Sequence, residues 1–431
     1  MKVFMLGWEF PPYISGGLGT ACYGITKALD QLGVHIAFVM PRADVIHFSR
    51  SPASSMAKGE SLEALQQGFQ HVHFCPIPIA LHPYAPHDPK RCTTAVSLDP
   101  QVDMFCHTIN RHPGGGENQD ENYGRNILLQ VTQYAAHVLR VAQTESFDLI
   151  HAHDWMTFPA AISLHKRFAQ PLVVHVHSTE FDRSGEHVNQ KVYDIERLGM
   201  HTADQVITVS NYTKHIIVGR YGVPAEKVTV VYNAVEQEEI PDADSLAEPF
   251  RKTDRVVLFL GRITMQKGPE YFLAAARKVL DVFDKVKFIV AGDGDMMYRI
   301  VELAAQMGIG DKVRFAGFLH GDEVRRAFQM ADLYVMPSVS EPFGIAALEA
   351  MREGIPVIIS KQSGAAEILA HALKVDFWDI DEMANKMLAV LTRPALHQSL
   401  SANGHRESIG MRWENAAVRI KAVYEGLCCP V

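Results

Sequence analysis

Little in this sequence favours a disulfide scaffold, a metal cluster, a membrane span or a nucleic-acid surface. Six cysteines occur in 431 residues, at Cys22, Cys75, Cys92, Cys106, Cys428 and Cys429, with no CxxC pair and no ladder of metal-ligand spacings. They read as reduced thiols of a cytoplasmic protein with no bound metal. The opening Met-Lys-Val-Phe-Met-Leu meets Gly7 and Trp8 too soon for a signal peptide and falls far short of a membrane span, so a soluble, unprocessed chain is expected. Positive charge is not in excess. The 41 Lys and Arg against 49 Asp and Glu leave a formal charge of −8, which argues against a broad footprint for nucleic acid or anionic membrane but leaves room for local basic sites. No fixed-period repeat is present. The only stretch approaching low complexity is Arg111 to Gly124, with its run His112-Pro113-Gly114-Gly115-Gly116, and it reads as a surface loop.

What is abundant is apolar character, 47% of residues, in a chain longer than one core usually supports, so two domains of about 200 residues each are expected. Short β-branched runs alternate with segments of helical period, the pattern of βα units on parallel sheets and hence of an α/β fold. In the first half the expected strands are Val3–Leu6, His35–Val39, Leu149–His151, Leu172–His175, Gln205–Val209 and Val228–Val231. In the second half they are Val256–Leu260, Lys287–Ala291, Val313–Phe315, Leu333–Met336 and Val357–Ser360. Residues 44–125 break the rhythm with prolines clustered between Pro76 and Pro89, which predicts irregular structure with at most a hairpin. A first domain of residues 1–234 and a second of 235–411 follow, each Rossmann-like, with the changeover near Tyr232 to Asp244 and a crossing near Met411. Trp413, Ala416, Ala417, Ile420, Val423 and Tyr424 recur at helical spacing, so segment 412–431 should pack back as a helix on the first domain.

Three loops carry residues suited to a diphosphate. After the first strand, Gly16-Gly17-Leu18-Gly19 opens a helix, which would present free backbone N–H groups to phosphate oxygens. A nicotinamide dinucleotide fingerprint is a poorer match, because its third glycine falls on Cys22 and the second strand ends at Met40-Pro41-Arg42 with no acid for a ribose. Arg262 and Lys267 flank the turn after Val256–Leu260, where a planar fork of donors and a point charge could neutralise a leaving diphosphate. Glu341-Pro342-Phe343-Gly344-Ile345 starts a further helix whose Gly344 and Ile345 amides form a second phosphate-binding terminus. Glu349, eight residues beyond Glu341, lies where a carboxylate could accept from both hydroxyls of a ribose.

Two polar clusters close strands of the first half, His151-Ala152-His153-Asp154-Trp155 and His175-Val176-His177-Ser178-Thr179-Glu180. Metal binding is set aside because His151 and His153 are taken to share a face only weakly and no third ligand is spaced for a closed site. Asp293-Gly294-Asp295 resembles a metal-carboxylate pair, but its place after a strand favours turn and N-cap chemistry. His165 to Arg167 reads as a solvated helix end.

The paired glycines, Arg262 with Lys267, and Glu341 to Glu349 together resemble glycosyltransferase family 4, and the similarity spans essentially the whole chain. The resemblance implies a GT-B fold, two Rossmann-like domains facing across a cleft, and retaining transfer of a hexosyl group from a nucleotide diphosphate sugar without a metal or covalent nucleophile. It implies that Gly16, Gly17, Arg262, Lys267, Gly344 and Ile345 hold the diphosphate and Glu349 the ribose, with Phe318 and Leu319 near the base. It further implies that Glu341 contacts the transferred sugar on its 3-hydroxyl side, that His177 reaches the reaction centre, and that Asp154 lines the same pocket. Trp8-Glu9-Phe10 and His151 to Trp155 also resemble glycogen and starch synthases, which points to a glucan acceptor, with insertion 44–125 beside it and ADP- or UDP-glucose as donor. The sequence departs from those enzymes at Ile14, where they carry a lysine. That departure keeps a small sugar or a lipid-linked or cell-surface glycan open as acceptor. A catalytically idle sugar-nucleotide or glucan-binding protein is the reading from another class, opposed by the joint presence of Glu341, Lys267 and His177. A pyridoxal-phosphate phosphorylase shares the architecture, but no lysine is singled out for a Schiff base.

Overall fold

The computed structural model describes residues 1–11, 16–41, 62–79, 81, 127–236 and 254–428. Two all-parallel sheets organise it. The first holds β1 (Lys2–Leu6), β2 (His35–Pro41), β3 (Val72–Ile77), β4 (Leu149–His153), β5 (Leu172–Val176), β6 (Gln205–Thr208) and β7 (Val228–Val230) in the order β3-β2-β1-β4-β5-β6-β7. The second holds β8 (Arg255–Leu260), β9 (Val286–Ala291), β10 (Val313–Gly317), β11 (Leu333–Met336), β12 (Val357–Ser360) and β13 (Leu373–Val375) in the order β10-β9-β8-β11-β12-β13. In both orders the sequence doubles back beside the first strand, between β1 and β4 and between β8 and β11. α/β sheets bind ligands at such switch points, beyond the carboxyl ends of the strands.

The central strands are apolar on both faces because helices cover both. In β1, Val3 to Leu6 are all buried, and β5 is buried throughout. One core gathers Phe4, Leu6, Val39, Ile150 and Val174 under Tyr134 and Leu139 of the helix Ile127–Ala142. The other gathers Val257, Phe259, Phe288 and Val335 under Phe272 and Leu273 of the helix Pro269–Leu280. Continuous burial of this kind, with helices returning the chain between strands, gives parallel pairing in preference to hairpins.

The chain separates into two compact units. One comprises Met1–Val209, Thr213–Val231 and Glu414–Val431, the other Ser210–Tyr212 and Tyr232–Trp413. The final helix, Trp413–Cys428, belongs mainly to the first unit, with Lys421 Nζ donating to the Leu32 carbonyl at 3.2 Å and Ile420 and Tyr424 fully buried.

Two strands depart from the sequence reading. The insertion 44–125 contains β3, parallel to β2 with Met40 opposite Pro76, where at most an antiparallel hairpin was expected. Pro76 is tolerated because β3 is the edge of its sheet, where a missing N–H costs no ladder bond. The strand is anchored by Asp30, whose carboxylate accepts from the backbone N–H groups of Gln70 and His71 at 3.1 and 2.5 Å. The second is β13, only three residues long and likewise an edge, beyond β12 in the other sheet. Among the described residues, no helix is long and apolar enough to cross a membrane. Most of insertion 44–125, with Ile14, the run Arg111 to Gly124, Cys92, Cys106 and Cys429, lies outside the described residues, as does part of the changeover expected near Tyr232 to Asp244.

Candidate functional site

In the second unit the sequence candidates converge on the carboxyl ends of β8 and β11, the two strands at its switch point. β8 runs into Gly261 and Arg262, and a 3-10 turn, Met265–Lys267, leads to the helix Pro269–Leu280. Gly268 joins them at φ +66°, where a Cβ would strike the Pro337 carbonyl oxygen. Glycine is therefore required there for the turn to lie against the loop after β11. That close approach puts Lys267 Nζ 2.6 Å from Glu341 Oε2, which also accepts from Ser338 Oγ at 3.1 Å. Arg262 Nη2 donates to Gln266 Oε1 at 3.3 Å, and the backbone carbonyl of buried Gln266 accepts from Val339 at 2.9 Å, so both cationic residues are tied to the same loop.

Glu341 is 6% exposed and fixed by its backbone, whose N–H donates to Gln362 and whose carbonyl accepts from Gly364. Three residues on, Gly344 caps the helix Ile345–Arg352 at φ +107° with no side chain bonded to the helix terminus. The amides at that start carry the positive end of the helix dipole, and Glu341 Cγ would lie 3.3 Å from a Cβ at Gly344. Glu349 sits half-buried on the same helix. Burial pushes its carboxyl up, offset in part by the Arg352 guanidinium. Tyr334, on β11, donates to the Leu260 carbonyl at 3.1 Å, and burial followed by the nearby Glu341 and Glu349 carboxylates pushes its phenol well up. Lys267, Glu341, Gly344, Ile345 and Arg262 thus form one constellation. Phe318 and Leu319 lie apart from it, following the edge strand β10, and Phe318 is exposed with its ring 4.6 Å from that of His320.

In the first unit the glycine turn precedes the helix Gly17–Gln31, with Gly16 as N-cap in extended backbone and no side-chain cap. Among the described residues, a Cβ at Gly16 or Gly17 would meet nothing within 4 Å. Among the described residues, neither crowding nor a left-handed φ accounts for these two glycines, unlike Gly268 and Gly344. Asp154, by contrast, is strained. It stands at φ +59°, a conformation uncommon outside glycine, just past β4. Its Oδ1 accepts from the His177 N–H at 2.7 Å, its own N–H donates to the His175 carbonyl at 3.0 Å, and Thr157 Oγ1 donates to its carbonyl. Burial pushes its carboxyl up to about 7, against the pull of the His177 and Ser178 amides and the Arg183 guanidinium.

His177 is brought to Asp154 by the pairing of β4 with β5. It is 8% exposed, its Nε2 lies 2.9 Å from His153 Nδ1, and burial followed by the neighbouring His153 holds it well below the usual imidazole range. His151 and His153 do share one face of β4, with ring centroids 4.3 Å apart, and His175 stacks on both at 5.4 and 5.3 Å. The expectation of a weakly shared face is corrected here, because residues two apart on a strand point the same way and the in-register neighbour of His153 is His175. Glu180, in the second cluster, is wholly buried and paired with Arg183 at 3.3 Å, which also pairs with Glu196. These groups pin the short helix Glu180–Ser184, whose Thr179 and Asp182 form a capping box.

Other sequence readings resolve simply. Asp293 accepts from the Gly294 N–H at 2.8 Å, the expected turn, but the cap of the following helix is Met296 and neither aspartate serves there. Lys166 and Arg167 are exposed in the last turn of the helix Phe158–Phe168, facing its negative dipole end. Sequence reasoning did not single out Ser338, Gln266 or Tyr334. Ser338 and Gln266 are uncharged loop residues and Tyr334 reads as core, so only their contacts with the charged candidates distinguish them.

The chain is similar to known proteins along most of its length. Residues 242–407 match the family described as Glycosyl transferases group 1, and residues 92–239 match Glycosyltransferase Family 4. An uncharacterized glycosyltransferase of Methanocaldococcus jannaschii is 30% identical over 382 residues, covering 86% of this chain and 83% of that protein. The glycogen synthase of Mycobacterium tuberculosis is 25% identical over 435 residues, covering 98% and 94%. Among solved structures, Anabaena HepE in complex with UDP and glucose superposes with a TM-score of 0.69 at 19% identity over 99% of this chain and all of that one.

Proposed function

Because the chain belongs to glycosyltransferase family 4, is a transferase and has the two-domain α/β GT-B fold, we propose that it transfers a glucosyl group, with retention, from ADP- or UDP-glucose to a glucan hydroxyl. The observation that carries the reading is the Lys267–Glu341 pair at 2.6 Å beside the uncapped start of the helix Ile345–Arg352. A cation and helix-terminal amides are aimed at one locus, where they can take up the charge that grows on a departing diphosphate. A carboxylate beside them can accept from sugar hydroxyls.

In this reading Lys267 and Arg262 neutralise the leaving diphosphate, and the Gly344 and Ile345 amides take further phosphate oxygens. Glu349 holds the ribose diol, and Phe318 and Leu319 lie beside the base. Glu341 orients the sugar from its 3-hydroxyl side. The family resemblance also assigns Gly16 and Gly17 to the phosphates and Asp154 and His177 to the reaction centre. No resident metal or cofactor is assigned to the transfer. A glucan acceptor is favoured by the whole-length likeness to a glycogen synthase. A small sugar or a lipid-linked glycan is the second reading, favoured by Ile14 in place of a lysine.

Release of nucleoside diphosphate from a panel of ADP-, UDP- and GDP-sugars, in EDTA and with or without glycogen, tests the proposal. Glucan-dependent release from ADP- or UDP-glucose is expected. Turnover indifferent to glucan would move the acceptor to small or lipid-linked sugars, and no turnover of any donor would overturn the reading.

A further inference from the structure

The transfer reading uses one of four clustered imidazoles, and the other three are built for something else. His151, His153 and His175 show no exposed surface, and β4 and β5 hold them on a single face. Two of their ring nitrogens are engaged. His151 Nδ1 lies 2.5 Å from Tyr424 Oη on the final helix, and His153 Nδ1 lies 2.9 Å from His177 Nε2. The remaining four, His151 Nε2, His153 Nε2 and both nitrogens of His175, are buried with no hydrogen-bond partner among the described residues. Buried polar atoms are seldom left unsatisfied in a native protein, and a cluster on adjacent strands calls for a common partner.

We propose that His151, His153 and His175 bind one divalent cation of the zinc class, as a structural site inside the first unit. Each of the three offers a ligand atom, and these atoms lie within 4.8 Å of one another, a span that small ring rotations can close around a single ion. Three neutral nitrogens and no oxygen ligand select zinc, nickel or copper over calcium or magnesium. Ligating histidines usually have their other ring nitrogen held by a hydrogen bond that fixes the tautomer, as Tyr424 holds His151 and His177 holds His153. A second group, Cys22 with His153 and His177, also brings ligand atoms within that span. It is disfavoured because His153 Nδ1 and His177 Nε2 already engage each other at 2.9 Å, whereas both nitrogens of His175 lack a partner among the described residues. The cation would tie the final helix to the sheet through Tyr424. The inference is independent of which donor or acceptor the enzyme uses.

The site is sealed, so the ion must enter during folding. Untagged full-length chain, unfolded in denaturant with chelator, is refolded with and without Zn2+ or Co2+, and metal per chain and thermal midpoint are measured. About one Zn2+ per chain, a higher midpoint and a visible ligand-field band for the Co2+ form are expected. His175→Gln should weaken Zn2+ binding on the order of 100-fold, whereas Cys22→Ser should leave the stoichiometry unchanged. The wild-type metal content decides the matter even if His175→Gln fails to fold. Substoichiometric metal with an unshifted midpoint would assign the free nitrogens to water and overturn the proposal, as would loss of the metal in Cys22→Ser with retention in His175→Gln.

Discussion

Lys267 Nζ and Glu341 Oε2 meet at 2.6 Å although 74 residues separate them in the chain. The pair joins the turn after β8 to the loop after β11, and each residue is held by its own backbone frame. Replacing Lys267 with alanine removes the cation without disturbing either frame. Transfer should fall by about 10²- to 10³-fold, with the circular dichroism spectrum and thermal midpoint retained. An unchanged rate of nucleoside diphosphate release would take Lys267 out of the site.

The three glycines assigned to phosphate, Gly16, Gly17 and Gly344, separate into two kinds. Gly344→Ala forces a side chain into φ +107° with its Cβ 2.7 Å from Met336 Cε, which should cost about 1–3 kcal/mol of stability in urea titration. Gly16→Ala meets nothing among the described residues, so its stability should change by no more than about 0.5 kcal/mol. Its affinity for the nucleoside diphosphate, measured by calorimetry, should still fall at least about tenfold. Equal stability losses for the two variants would contradict this division.

Asp154 combines a left-handed backbone with a buried carboxylate, and Asp154→Asn separates the two. Asparagine tolerates that conformation and can still accept from the His177 N–H. The fold should be retained while transfer drops by about 10²-fold or more. A variant with full activity would reduce Asp154 to a structural turn.

Glu196 gives a pH signature in stability. Its carboxylate accepts from Tyr221, Arg183 and the Glu180 N–H, yet burial outweighs these and pushes it up from 4.5 to about 7. Between those values the native state binds more protons than the unfolded chain, so this group's contribution is fully present below about pH 4.5 and is lost as pH rises through about 7. Glu196→Gln should flatten that fall in urea-derived stability measured from pH 5 to 8. A slope identical to the wild type would show that other groups carry the dependence.

Much of the architecture could be read before any coordinates. Apolar β-branched runs bounded by glycine and proline mark strands wherever both faces of a parallel sheet are covered, as in β1, β5, β8 and β11. The edges were less legible. Pro76 argues against a strand unless the strand is known to lie at a sheet edge, and three-residue β13 has no periodicity to detect.

The sequence alone determined the α/β class, the loops that bear Arg262, Lys267, Glu341 and Gly344, and the likeness to family 4, because these are matters of local pattern and short spacing. Tertiary structure decided which of them touch. Lys267 reaches Glu341 only because Gly268 lets its turn lie on the Pro337 carbonyl, and the neutral residues Ser338 and Gln266 join the site only through that packing. The histidines show the same limit most clearly. Their spacing was visible, but a third ring comes to His151 and His153 from β5, brought by a strand register that no single segment encodes. Contacts across a sheet depend on which strands become neighbours, and that choice is made by the burial of the whole core.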